Sequence, residues 1–178
     1  ESMEPAVRFV STSDYPLAAR ELAAHYLSRA PKKELANIDL VNLSSSQTNP
    51  NIKMALAIAL GKTEKPEARK ILEDYIQNET DYRIQLNAIR ALGNFPYDSI
   101  HTTIVSSLRN GNEHVRRIAA NQLVANGDER YAKLYYRLAK DTFPLIIKST
   151  LLTAANKHLP SYFVDTKNAI NRQLQQIV

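Results

Sequence analysis

Apolar residues recur along this chain with the period of a helix, not of a strand. They fall at Ile84, Ala88, Ala91 and Leu92, and again at Val115, Ala119 and Leu123. Spacings of i, i+4, i+7 and i+8 put side chains on one face of an α-helix. Ile84 aligns with Val115, Ala88 with Ala119 and Leu92 with Leu123, an offset of 31 residues. A step back of 32 brings residues 49–53, and then Leu56, Ala59, Leu60 and Gly61, into the same frame. Gly61 and Gly93 then share a position at which a helix is expected to stop, because glycine takes the left-handed cap conformation without a Cβ clash. A second amphipathic segment follows each first one: Ala68, Ile71, Leu72, Tyr75 and Ile76; then Ile100, Ile104, Val105 and Leu108; then Tyr131, Leu134, Tyr135 and Leu138. The predicted unit is helix, short turn, helix, about 31 residues long.

Two outer units are fainter. Residues 15–29 and 32–43 predict one helix pair, separated by Pro31. Residues 143–158 predict another helix, and Pro160 opens its partner with Phe163, Ile170, Leu174 and Ile177. The total is five helix pairs, an all-α fold in one domain over residues 1–178. The polar residues 44–48 read as an interhelical turn. Residues 5–10 read as the tail of a preceding helix, and residues 174–178 stop within an apolar helical phase. The chain does not start with Met. The expectation is a fragment of a longer chain whose end faces associate weakly.

Composition agrees with helices. Only 4 of 178 residues are glycine, and sheets and phosphate loops need more. The absence of cysteine excludes disulfides and thiolate metal sites. No stretch is long and apolar enough to span a membrane, and the first residues lack a signal-peptide pattern. Net charge is +5 and lopsided: residues 1–89 carry 11 Lys/Arg against 12 Asp/Glu, and residues 90–178 carry 12 against 6. A basic half favours acidic partners, nucleic acid included.

The run Val115-Arg116, Ala119-Ala120, Leu123, Gly127-Asp128, Ala132, Leu138 and Asp141 resembles a HEAT repeat of the short, lyase-associated kind. Residues 81–93 resemble it too, and the likeness covers residues 49–141. Lys53 and Arg116 stand at the repeat's usual basic position, where the middle unit has Gln85. The resemblance implies a right-handed α-α superhelix, with first (A) helices on the convex side and second (B) helices on the concave side. The wording is also similar to the helical parts of bacterial chains that join HEAT repeats to a cyclophilin-type peptidyl-prolyl isomerase. No cyclophilin active-site pattern lies in these residues, so such catalysis would sit outside them.

Candidate chemistry is sparse. His25, His101, His114 and His158 are scattered, with no metal-ligand spacing. HEAT-like deoxyhypusine hydroxylases carry repeated His-Glu pairs, and here only the reversed Glu113-His114 occurs. HEAT-like DNA glycosylases use tryptophan, which this chain lacks, and nothing supports a bilin pigment. Gly61-Lys62-Thr63 mimics the end of a phosphate loop, but Leu56 replaces the required glycine and the segment is helical. Two sequons, at Asn42 and Asn78, are too short to weigh. The one surface signal is basic: Arg130, Lys133, Arg137 and Lys140, spaced 3, 4 and 3 apart as one stripe on a B helix. Tyr131 and Tyr135 share that helix's apolar face and read as core. The neighbouring B helix places Thr103 and Ser107 opposite Lys133 and Arg137, so the stripe does not continue as a cationic track. These observations favour a non-catalytic scaffold that binds a protein or neighbouring domain through its B-helix surface. Nucleic-acid binding through the basic half is the rival, and neither a cofactor nor a metal is expected.

Overall fold

The computed structural model describes residues 3–161 and Val164, and among these it is helical with no strand. The helices in chain order are α1 (Glu4–Ser11), α2 (Leu17–Arg29), α3 (Lys32–Leu35), α4 (Leu40–Ser45), α5 (Pro50–Thr63), α6 (Pro66–Asn78), α7 (Tyr82–Leu92), α8 (Tyr97–Ser107), α9 (Glu113–Asn126), α10 (Ala132–Leu138) and α11 (Leu145–His158). A single 3-10 turn, Glu129–Tyr131, leads into α10. The segment expected to open at Pro160, with Phe163, Ile170, Leu174 and Ile177, lies almost wholly outside the described residues.

Each of α2, α5, α7, α9 and α11 packs against the next. The intervening helices lie against this row, α6 on α5 and α7, α8 on α9, α10 on α11. The sequence explains where the three central row helices start. Asn49 accepts from the Asn51 and Ile52 amides, Asp81 from the Arg83 amide, and Asn112 from the His114 and Val115 amides. These caps satisfy amides that a helix cannot bond internally. Behind each cap the third helical residue, Ile52, Ile84 or Val115, is at most 1% exposed. The fourth residue of α2, α5, α7 and α9 is polar and ties its helix to a loop. Arg20 donates to the Gln47 side chain, Lys53 pairs with Glu79, Gln85 donates to the Glu79 carbonyl, and Arg116 donates to the Asn110 carbonyl. Lys53 and Arg116 therefore serve the junctions between helices, and Gln85 fills the same role without a charge.

Four expectations need correction. Gly61 does not end its helix. It lies inside α5 and is buried, and α5 ends at Glu64, whose φ of 56° is left-handed. A Cβ on Gly61 would stand 2.7 Å from the Ala91 Cβ and 2.9 Å from its Cα, so the glycine exists for the close approach of α5 to α7. Gly93 does follow α7, but with a right-handed φ of −60°. Its missing Cβ leaves room for the Gln122 and Asn126 side chains of α9. The helix expected over residues 32–43 is broken into α3 and α4. The chain restarts at Asp39, whose carboxylate accepts from the Asn42 amide. The helix expected to carry Arg130 through Lys140 is shorter, since Arg130 sits in the 3-10 turn and Lys140 beyond α10.

Candidate partner-binding face

Burial separates the second-helix side from the row. On α6, Ala68, Leu72, Tyr75 and Ile76 are buried, and Lys70, Asp74 and Gln77 are exposed. On α8, Ile100, Ile104 and Ser107 are buried, and Thr102 and Ser106 are exposed, with Arg109 following. On α10, Ala132 and Tyr135 are buried, and Lys133 and Arg137 are exposed, with Lys140 following. The exposed sets are in register: 70, 102 and 133; 74, 106 and 137; 77, 109 and 140, each step being 32 and then 31 residues. The true counterparts of Lys133 and Arg137 are thus Thr102 and Ser106. Ser107, the residue paired with Arg137 by sequence, is only 4% exposed, and the Thr103 hydroxyl is engaged with Glu73. A second exposed line runs along the row helices through His25, Ile58, Arg90, Asn121 and Thr153, on their far side by helical position.

The four basic residues do not act alike. Arg130 is clamped by two carboxylates. Its Nε donates to Asp128 at 2.9 Å, and its terminal nitrogen donates to Asp98 of α8 at 2.8 and 2.9 Å. The Arg130 hydrogen bond holds the Asp128 carboxyl down at about 2, and the two carboxylates push the Arg130 pKa up. Its charge is spent on joining α8 to the 3-10 turn. Lys133 and Arg137 lie one turn apart on α10, and the Lys140 ammonium stands 4.6 Å from the Tyr136 ring centre. Arg109 pairs with Asp141 at 2.5 Å and lies over the Phe143 ring.

Beside this face is a polar and aromatic interlock. The Tyr131 hydroxyl donates to Asp98 at 3.1 Å, and the Tyr131 ring stacks on His101 at 4.4 Å. The Tyr135 hydroxyl donates to the Tyr97 hydroxyl at 2.6 Å. Burial pushes the pKa of both hydroxyls up. His158 Nε2 lies 2.9 Å from the Leu123 carbonyl oxygen, and the His158 ring meets Tyr135 edge-on. Tyr135 is fully buried, as expected, whereas Tyr131 is only partly so.

His25 is exposed on α2, and His114 stacks on Tyr82. Among the described residues no group of three or more His, Cys, Asp and Glu is placed to hold a metal, and no helix is long and apolar enough to cross a membrane. The Lys62 ammonium, a phosphate-loop mimic by sequence, caps α2 by donating to the Ser28 and Ala30 carbonyls. Sequence reading missed the carboxylates Asp98 and Asp128. A signal existed for the second: Asp128-x-Arg130 repeats Asp81-x-Arg83, where the same guanidinium-to-carboxylate clamp forms at 2.6 Å.

The fold and this face define an all-helical protein built from packed helix pairs, with a polar face of graded charge. No family model matches the chain, and no curated protein matches it.

Proposed function

We propose that this chain is a HEAT-like α-solenoid, a right-handed α-α superhelix that serves as a non-catalytic scaffold. Its second helices offer the binding surface to another protein or a neighbouring domain. The observation that carries the reading is the register of the exposed positions on α6, α8 and α10, which recur at 32 and 31 residues while the residues between them are buried or half-buried. Stacked units that contact only their neighbours produce one extended surface of this kind. The cap residues Asn49, Asp81 and Asn112 recur at the same intervals and support the same unit.

Site-specific photo-crosslinking in the cells that make the protein tests this reading. A benzoylphenylalanine at Thr102 or Ser106 should give discrete protein adducts, and one at Ile58 or Asn121 on the far line should give none. Adducts from the far line alone contradict it.

A further inference from the structure

Two of the four glycines follow an asparagine, in Asn110-Gly111 and Asn126-Gly127. An Asn-Gly step is prone to cyclise, because glycine has no side chain to shield its amide nitrogen. The two steps sit in opposite surroundings. Asn126 is the last residue of α9, and its side-chain amide donates to the Gln122 side chain at 2.7 Å and to the Gly93 carbonyl at 3.3 Å. The Gly127 amide donates to the Leu123 carbonyl at 3.1 Å, which holds that nitrogen in the helix end. Asn110 lies outside any helix, in the loop between α8 and α9, and Gly111 is exposed. Among the described residues the Gly111 amide has no acceptor. The Asn110 side-chain carbonyl accepts from the Asn112 amide at 2.8 Å. This Asx turn curls the side chain back towards the peptide that follows it, and the same hydrogen bond polarises the carbonyl.

We propose that Asn110 is a site of spontaneous modification, deamidating through a cyclic imide, and that Asn126 is protected from it. The Gly111 nitrogen gives up its proton and attacks Asn110 Cγ. The new N–C bond closes a five-membered succinimide, the Cγ–Nδ2 bond breaks, and Nδ2 takes up one proton and leaves as ammonia. Water then adds to one of the two imide carbonyls, and ring opening gives aspartate or isoaspartate. Nothing is oxidised or reduced, and water is the only co-reactant. Both products lose the side-chain donor that Asn110 offers to Gln85 at 3.2 Å. Isoaspartate also adds a methylene to the main chain, two residues before the Asn112 side chain that caps α9. The Asn110 and Gly111 carbonyls both accept from Arg116, so the insertion falls inside the junction that this guanidinium holds. At Asn126 the attacking nitrogen must first be freed from Leu123, which requires the end of α9 to open.

The test ages the folded chain in mildly alkaline buffer and follows both steps by peptide-mapping mass spectrometry, in which each conversion adds one mass unit. An isoaspartate-specific carboxyl methyltransferase with a labelled methyl donor marks the isoaspartyl product. Asn110 is expected to convert about tenfold faster than Asn126 or more, because only Asn126 waits on local opening. In denaturing guanidinium chloride the two steps should convert within about threefold of each other, since the helix end that separates them is gone. Gly111→Ala should slow conversion at Asn110 about tenfold or more, because a β-carbon crowds the attacking nitrogen. That Cβ meets nothing within 4 Å, so the variant should keep the wild-type circular dichroism spectrum. Equal conversion of the two steps in the folded chain, faster conversion at Asn126, or no conversion at Asn110 overturns the proposal. So does undiminished conversion in Gly111→Ala. A rate difference that persists in the unfolded chain would belong to the neighbouring residues and not to the fold, and it too overturns the proposal.

Discussion

The central helices α5, α7 and α9 and the N-terminal helices α1 to α4 are built to different standards. Each central row helix opens on an Asn or Asp whose side chain caps it. Helix α2 opens on Pro16 with no side-chain cap, and α3 on Pro31 likewise. In the centre, small residues permit near contact, as Gly61 does against Ala91. At the corresponding sixth and tenth positions of the row helices, α5 has Ala55 and Ala59 and buries both, but α2 has Leu22 and Tyr26, at 72% and 48% exposure. An apolar groove of about 700 Å³ lies there, lined by Pro5, Phe9, Ala19, Leu22 and Tyr26 among others. Regular spacing thus coincides with dense packing and good caps, and where the spacing fades the helices shorten and apolar surface is left wet.

This contrast explains what the sequence made legible. A helix whose cap, third residue and small contact residues all lie within one turn or two announces itself locally, and α5, α7 and α9 do so. The break between α3 and α4 does not. It depends on the Asp39 side chain restarting the helix, and apolar spacing over residues 32–43 runs through it. The glycines were legible as special positions but not for the right reason. Gly61 faces Ala91, thirty residues on, and a contact at that range leaves no mark on local propensity. Arg130 is similar. Its Asp128 partner is two residues away, but Asp98 belongs to the preceding helix pair, so the stripe looked more cationic than it is.

The sharpest way to break the comparison is Gly61→Val. Its added atoms collide with the Ala91 backbone, and the expected loss is about 3 kcal/mol or more in urea unfolding. A Cβ added at Gly111 would meet nothing within 4 Å, and the residue has no left-handed φ, so Gly111→Val should change stability by less than about 0.5 kcal/mol. Equal effects of the two substitutions would remove the close-approach argument.

A smaller effect separates the capped from the uncapped helices. Asn112→Ala should cost about 1 kcal/mol, since two amides at the start of α9 lose their acceptor. Pro16→Ala at the start of α2 removes no side-chain acceptor and should stay within about 0.5 kcal/mol. Thermal unfolding followed by circular dichroism reads both.

The smallest effect belongs to the groove. Leu22→Gln should leave stability unchanged within about 0.5 kcal/mol, because the side chain is already mostly solvated. Ile89→Ala, which empties a fully buried position on α7, should cost about 2–5 kcal/mol. A strong destabilisation by Leu22→Gln would mean that the α2 surface is covered in solution.

Native-state hydrogen exchange tests the central claim most directly, because it reads the opening free energy of each helix separately. The account predicts that the mid-helix amides of α5, α7 and α9 exchange slowest and with a common opening free energy. Those of α1, α3 and α4 should exchange measurably faster. Equal protection of α1 to α4 and of the central helices would contradict it.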